Sequence, residues 1–166
     1  MIELELVAVR VELPSNTPVL VLRELVGRRR QLTIFIGNPE ATAIAFALEG
    51  VDTPRPLTHD LFCDVLDGLG TSLERVVITE LRETTYYADL HLSSEDGPVT
   101  VSSRPSDAVA LVNRIARGDR SGVEKRIPVR RPRYASAAWD FGSFRTRRSD
   151  FFFPSPLDSN RGTEPR

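Results

Sequence analysis

The sequence is short of cysteine. Its 166 residues include one, Cys63, which excludes an intramolecular disulfide and any cysteine-rich zinc site. Long apolar runs are also missing, since no stretch approaches the roughly 20 residues that span a bilayer. The first six residues carry two glutamates where a secretory signal needs positive charge. We therefore expect a protein of the reducing cytoplasm that does not enter a membrane.

The sequence also lacks a large net charge. Its 22 basic and 23 acidic side chains give a formal charge of −1, which excludes a uniformly basic nucleic-acid binder. The charge is unevenly placed, because residues 1–118 hold 11 basic and 17 acidic side chains whereas residues 119–166 hold 11 and 6. Phosphate-binding loops, dinucleotide fingerprints, HExxH zinc motifs and GxSxG nucleophile motifs are absent from the sequence. The enzyme classes that these motifs mark therefore lose support.

Hydrophobic periodicity predicts that the chain begins with three strands and a helix. Alternating apolar and polar residues, interrupted by turn residues, place these elements at about 2–12, 19–25, 32–36 and 39–49. Asn38 is expected to cap the helix with Pro39 at its first position, and Gly50 to end it.

The same pattern returns 67 residues later. At this constant offset Leu32 aligns with Val99 and Glu40 aligns with Asp107. The repeat predicts further strands at about 74–82, 86–93 and 98–103, followed by a second helix. Between the halves, Thr58 is expected to cap a connecting helix over about 59–69. The predicted fold class is therefore α+β, with internally duplicated β-β-β-α units and a connecting helix.

The regular pattern stops after residue 118, where proline, arginine and serine become frequent. We predict a folded domain over residues 1–128 and a basic tail over residues 129–166 that is largely irregular and mostly disordered. Aromatic residues such as Trp139 and Phe151 are unusual in a solvated tail, so part of it is expected to pack on the domain or on a partner.

Three blocks of the sequence resemble one protein family. They lie at residues 36–41, 55–61 and 104–111 and read IGNPEA, RPLTHDL and RPSDAVAL. With these blocks in this order, the chain resembles the bifunctional nuclease family over about residues 1–128. The resemblance implies a cytoplasmic bacterial protein with an α+β fold that self-associates. It also implies kinship with plant proteins credited with cleaving both RNA and DNA.

The two carboxylates of the repeat are the candidate metal ligands. Phosphodiester cleavage needs an activated nucleophile and stabilised charge on the phosphoryl oxygens, often with help from carboxylate-bound Mg²⁺ or Mn²⁺. Glu40 and Asp107 occupy equivalent positions near two helix N-termini, so a pseudo-twofold arrangement would bring them to one site. Asp107 is also a candidate catalytic residue. The alternative is that each carboxylate only favours its helix dipole or completes a cap.

Arg104, Ser106 and Arg55 are the candidate substrate-binding residues. Arg104 stands before a helix N-terminus that includes Ser106, a combination that suits a phosphate through a guanidinium fork and backbone N–H groups. Arg55 is the candidate second phosphate clamp. The alternative for Arg104 is an ion pair with Asp107 or another carboxylate, with Ser106 as a cap.

His59 and Asp60 are the remaining candidate catalytic residues. His59 has the chemistry of a general acid or base, and Asp60 that of a residue which orients it or binds metal. Adjacent residues in a helical turn point in different directions, so their direct pairing is not assured. The alternative is a cap at Thr58, a dipole interaction at Asp60 and a histidine that is exposed or lies in a subunit contact.

These residues predict a metal-assisted nuclease that acts on RNA, DNA or both. The acidic domain argues against tight binding of long nucleic acid, because each neutralised phosphate needs a nearby cation. Short or single-stranded substrates therefore fit better, and a homo-oligomer is expected. A noncatalytic module that binds an anionic ligand or a protein partner explains the same motifs without a metal. A third reading is purely structural, with the motif residues stabilising the domain and its dimer interface.

Overall fold

The computed structural model describes residues 1–117 and 127–129. Seven strands and three helices confirm the predicted α+β class. In chain order they are β1 (Ile2–Glu12), β2 (Thr17–Glu24), β3 (Gln31–Phe35), α1 (Asn38–Glu49), α2 (Thr58–Gly68), β4 (Ser72–Arg82), β5 (Thr85–Ser94), β6 (Gly97–Ser103), α3 (Pro105–Arg117) and β7 (Ile127–Val129).

All seven strands form one sheet in the order β3-β2-β1-β7-β4-β5-β6. Each set of three consecutive strands is antiparallel, because short turns join its members. The last strand, β7, lies between the two sets. It pairs antiparallel with β1, where Leu4 faces Ile127, and parallel with β4, where Ile78 faces Val129.

The core lies between the sheet and the helices. Alternate residues are buried on β3, as Leu32 and Ile34 illustrate, and on β5, as Leu90 and Leu92 illustrate, whereas β2 is buried continuously from Pro18 to Leu22. Helix α1 packs on β1 and β2, α3 packs on β4 and β5, and the two helices contact each other. Helix α2 packs mainly on α3. None of the helices in the described ranges has the length and apolarity that a membrane-spanning helix needs.

The helix ends differ from prediction at two caps. Gly37, rather than Asn38, is the N-cap of α1, so Asn38 and Pro39 both belong to the first turn. Leu57, rather than Thr58, is the N-cap of α2, and its backbone N–H donates to the Asp60 carboxylate at 3.0 Å. An acid in the first turn replaces the expected hydroxyl cap here. Gly50 ends α1 as predicted, since its φ of 72° suits glycine.

Strand β7 is the element that the sequence does not predict. Its three residues show no periodicity, and a proline in the middle argues against a strand inside a sheet. Its place comes instead from tertiary packing, because Ile127 and Val129 are each only 1% exposed. The predictions for the tail fall outside the described residues, apart from Val129. The internal duplication stays a prediction.

We predict that β7 holds the two halves of the sheet in one cooperative unit. Replacing Ile127 by alanine should lower the free energy of unfolding by about 2–5 kcal/mol, because the change leaves a cavity between β1 and β4. Urea unfolding checks this against Val26→Ala, which alters a residue that is 82% exposed. Equal stability of the two variants would show that β7 is not part of that unit.

Candidate functional site

The site lies where two strands lead into two helices. Strand β3 is followed by α1, and strand β6 is followed by α3. Glu40 is in the first turn of α1, Asp107 is in the first turn of α3, and Arg104 immediately precedes α3. Because α1 and α3 pack against each other, these side chains meet, together with His59 from α2.

The Arg104 guanidinium joins the two carboxylates. Its Nη2 donates to Glu40 Oε1 at 2.6 Å and to Asp107 Oδ1 at 2.9 Å, and its Nε donates to Asp107 Oδ2 at 2.7 Å. The hydrogen bonds with Asp107 and then with Glu40 raise the pKa of Arg104 above its ordinary value. The ion pair expected as the alternative role of Arg104 is therefore present. Nη1 donates no hydrogen bond to residues 1–117 or 127–129 and the Arg104 side chain is 66% exposed, so this end of the guanidinium is available to a ligand.

Glu40 is the buried member of this group. The residue is only 8% exposed, and a buried carboxylate is costly unless a cation or several donors accompany it. Gly37 makes room for it, because a Cβ on Gly37 would overlap Oε2 of Glu40. The backbone of Gly37 is extended, with φ −79° and ψ 160°, so a larger residue here would meet the Glu40 carboxylate and displace it rather than strain the backbone.

Asp107 links the arginine to the histidine. Its Oδ1 lies 3.3 Å from His59 Nε2, and the His59 side chain is 14% exposed. A carboxylate that accepts from one imidazole nitrogen fixes the tautomer and leaves the other nitrogen for chemistry. Nδ1 of His59 is that nitrogen, and it has no hydrogen-bond partner within the described part of the chain. Four of the predicted residues, Glu40, His59, Arg104 and Asp107, thus form one cluster.

Asp60 does not join this cluster. Its Oδ1 pairs with Arg114 Nε at 2.5 Å, and its other oxygen accepts the N–H of Leu57. The separation follows from helix geometry, because consecutive residues point about 100° apart. Asp60 and His59 therefore contact α3 two turns apart, at Arg114 and Asp107. A catalytic role for Asp60 stays a prediction.

The other two predicted substrate-binding residues make no recorded hydrogen bond or ion pair with the Arg104 guanidinium. Arg55 is exposed in the connection before α2, and its backbone oxygen accepts from Thr53 Oγ1 at 2.6 Å. Ser106 is the second residue of α3 and is 6% exposed. The structure gives neither side chain a contact with Arg104, so their roles as phosphate ligands stay predictions.

The donor set does not suit a resident metal ion in this arrangement. The oxygens of Glu40 and Asp107 face the Arg104 guanidinium, which supplies the positive charge that a metal would bring. No group of three or more His, Cys, Asp or Glu side chains in the described ranges is arranged to hold a metal ion. Mg²⁺ or Mn²⁺ would have to replace Arg104 at these carboxylates.

Cys63 lies on the buried side of α2. It is 5% exposed and lines a cavity of about 430 Å³ together with Asp60 and Arg114. Burial, followed by the charges of Asp60 and Asp67, raises the pKa of the thiol to about 11. A thiol that stays protonated is a poor nucleophile, so this cysteine is a packing residue.

Sequence reasoning missed Gly37 and Arg114. Gly37 reads as a strand-to-helix turn, and the space that Glu40 requires is visible only in three dimensions. Arg114 carried a usable signal, because it follows Asp107 by seven residues and so lies two turns along the same face of α3. Two residues at that spacing on α3 can contact two consecutive residues of α2, which here are His59 and Asp60.

Comparison with known proteins shows that this site lies within the segment of the chain that matches a family model. A family model described as "Bifunctional nuclease domain" matches residues 20–117. An uncharacterized protein of Mycobacterium tuberculosis strain H37Rv is 51% identical over 113 residues, which make up 68% of this chain and 66% of that protein. Bifunctional nuclease 1 of Oryza sativa subsp. japonica is 26% identical over 98 residues, or 57% of this chain and 30% of the rice protein.

These relatives are longer than the matching segments. The chain spans just under two thirds of the mycobacterial protein and under a third of the rice protein. The matching family segment nevertheless contains Glu40, His59, Arg104 and Asp107. It ends before β7, the strand that lies between β1 and β4 in the middle of the sheet.

We predict that Glu40 and Arg104 are energetically coupled. Arg104→Ala should lower the free energy of unfolding by about 1–2 kcal/mol, because it leaves the buried Glu40 carboxylate without its cation. In a Glu40→Gln background the same change should cost much less. Urea unfolding of the four proteins in this double-mutant cycle measures the coupling. The exposed pair of Arg82 and Glu80 is the control and should show none; equal coupling in both cycles would contradict the prediction.

We also predict that Cys63 lowers stability at alkaline pH. The unfolded chain ionises the thiol near pH 9, whereas the folded chain keeps it protonated to about pH 11. The free energy of unfolding should therefore be unaffected below pH 9 and fall as the pH rises from 9 to 11. At pH 10 the loss is about 1.4 kcal/mol. Urea unfolding at pH 8, 9 and 10 should show this slope for the native chain relative to Cys63→Ala; parallel curves would contradict it.

Proposed function

We propose that this chain, which belongs to the bifunctional nuclease domain family, is a hydrolase that cleaves phosphodiester bonds of RNA, DNA or both. One observation carries the proposal. Arg104 and His59, a phosphate-binding side chain and a proton-transfer side chain, converge on the same carboxylate of Asp107. The name of the rice relative, bifunctional nuclease 1, agrees with this chemistry.

Arg104 is the proposed phosphate clamp. Its Nε and Nη2 are held by Asp107 and Glu40, which fixes the plane of the guanidinium and leaves Nη1 for a phosphoryl oxygen. A donor held in place before the substrate arrives does not reorganise as charge develops on that oxygen. The two carboxylates are thus positioning residues for the clamp.

His59 is the proposed proton-transfer residue. In hydrolysis the oxygen of a water attacks phosphorus, the bond from phosphorus to the leaving sugar oxygen breaks, and that oxygen gains a proton. Nδ1 of His59 takes the proton of the attacking water and later returns it to the solvent or to the leaving oxygen. Asp107 holds the ring through Nε2 and stabilises the imidazolium that forms.

The charge of the cluster favours small or flexible substrates. With a neutral histidine, Glu40 and Asp107 outweigh Arg104 by one negative charge, so the site attracts a polyanion weakly. Short or single-stranded RNA or DNA, which brings one phosphate to Nη1 without a long charged duplex, is the proposed substrate class. A cytoplasmic location and self-association belong to the same proposal.

Assistance by Mg²⁺ or Mn²⁺ is proposed as a competition with Arg104. Carboxylate oxygens are suitable ligands for these ions, yet here they already face the guanidinium. An Arg104→Ala variant exposes both carboxylates. It should therefore bind Mn²⁺ at least tenfold more tightly than the native chain, as measured by titration calorimetry. Equal affinities of the two proteins for Mn²⁺ would contradict the proposed metal site at Glu40 and Asp107.

A noncatalytic anion-binding module is the second candidate function. The Nη1 end of Arg104, which Glu40 and Asp107 leave without a hydrogen bond in the described residues, can bind an anion that is not cleaved. A ligand that raises the melting temperature, without cleavage under any condition, would support this reading.

We predict that cleavage depends on His59 and Arg104. Highly purified protein should cleave end-labelled single-stranded RNA or DNA. Replacement of His59 by glutamine should lower kcat by about 100-fold or more, because the proton transfer is lost. Arg104→Lys should also lower kcat/KM, because an ammonium cannot reproduce the fork. Each protein is assayed with Mg²⁺, with Mn²⁺ and with a chelator.

The control variants are His91→Gln and Arg82→Lys, purified identically. His91 lies on β5 beside Thr100, and Arg82 pairs with Glu80. Both controls should keep native activity. Products that are equal for all five proteins would indicate a contaminating nuclease or wrong residues, and the absence of products in every case would favour the binding module.

A further inference from the structure

A close ion pair outside the cluster joins α2 to α3. Arg114 Nε lies 2.5 Å from Asp60 Oδ1, and the two side chains are only 26% and 13% exposed. Opposite charges attract more strongly at short separation and away from water. The other oxygen of the Asp60 carboxylate accepts the backbone N–H of Leu57, the N-cap of α2. Asp60 therefore fastens the first turn of α2 both to its own N-cap and to α3.

The contact between His59 and Asp107 is longer. His59 Nε2 lies 3.3 Å from Asp107 Oδ1, whereas the Arg104 guanidinium approaches the same carboxylate to 2.7 and 2.9 Å. An N–H···O hydrogen bond is most often about 2.9–3.0 Å long. The bond to Asp107 is therefore a weak restraint by itself, and the orientation of the imidazole depends on how α2 is held.

Apolar packing restrains α2 mainly beyond its first turn. Of the residues Thr58–Gly68, two are buried, Cys63 and Leu66. They follow His59 by four and seven residues, which is about one and two helical turns. A helix end without buried side chains opens readily unless polar contacts restrain it. The ion pair of Asp60 with Arg114 thus supplies a restraint that the core does not give to the turn that carries His59.

The separation of the two contacts explains how the ion pair acts on the imidazole. Asp107 and Arg114 are seven residues apart on α3, which is about 10 Å along the helix. Two points of attachment at this separation fix the direction in which the first turn of α2 lies. With one of them lost, the turn can pivot about the other. Without Arg114, His59 would keep only its longer contact.

We infer that Arg114 is a positioning residue for His59. It holds Asp60, Asp60 fixes the first turn of α2, and that turn places the imidazole against Asp107. Within the described residues, Arg114 itself makes no hydrogen bond or ion pair with the cluster. The consequence for cleavage rests on the proposed function, whereas the placement of the imidazole does not.

Nuclear magnetic resonance of the full chain tests the placement directly, because the chain has two histidines, His59 and His91. At pH 8 the nitrogen-15 shifts of His59 in the native chain should show a proton on Nε2 and none on Nδ1. Arg114→Met should move these shifts toward the averaged values of an unrestrained imidazole, and those of His91 should stay in place. Arg114→Lys, which keeps a cation near Asp60, should restore most of the native shift. Unchanged His59 shifts in Arg114→Met would overturn the inference.

Two further variants separate this role from a general loss of stability. Asp60→Asn keeps an oxygen for the N-cap but removes the charge that Arg114 meets, so it should change the His59 shifts as Arg114→Met does. It decides the question if Arg114→Met does not fold, as circular dichroism reports. Arg117→Met removes an arginine of α3 that is 25% exposed and contacts the end of α1 instead of α2. An equal change of the His59 shifts in Arg117→Met would overturn the inference.

Cleavage kinetics provide a second measurement. If His59 transfers the proton, Arg114→Met should lower kcat by about 10-fold to 100-fold, because a displaced catalytic group costs about this much. KM should change much less, because Arg104 keeps both of its carboxylates. A native kcat in Arg114→Met would overturn the role of Arg114 in cleavage. If the native chain cleaves nothing, the proposed function is contradicted, and the His59 shifts alone decide the inference.

Discussion

The burial of the Glu40 carboxylate is the constraint on which the site depends. A charge that is 8% exposed requires a cation, and the only residue that meets it with an ion pair in the described ranges is Arg104. This pair ties the start of α1 to the start of α3. Arg117 ties their other ends, since it donates to the carbonyl oxygens of Gly50 and Val51. The two helices are thereby held over one sheet, and Asp107 is held beside Arg104.

Local pattern predicted most of the elements, because strands and helices of five residues or more repeat their apolar positions. It also predicted that Glu40 and Asp107 would meet, since the 67-residue offset in the sequence aligns the strands that precede them. It did not predict β7, whose three residues depend on partners distant in the sequence. The separation of His59 from Asp60 was open in the sequence. The direction of a helical side chain is fixed only when the neighbouring helix is known, and here α3 offers Asp107 to one residue and Arg114 to the other.

The same contacts that stabilise the cluster define its chemistry. Arg104 is exposed enough to meet a ligand, with 66% of its side chain accessible, while its partners Glu40 and Asp107 are mostly covered. The two carboxylates thus fix the orientation of the guanidinium, and their negative charge lowers its net attraction for anions. In the proposed function, a phosphate at Nη1 would meet a group that Glu40 and Asp107 have already oriented, so selection would depend more on geometry than on charge.

Helix α2 depends on α3 for its position. A helix of 11 residues is marginal on its own, and α2 is held mainly by α3, through His59, Asp60 and its buried apolar residues. The contact of His59 with Asp107 and the ion pair of Asp60 with Arg114 restrain the same helix at points two turns apart along α3. The position of the proposed proton-transfer residue therefore depends on an ion pair that lies outside the cluster.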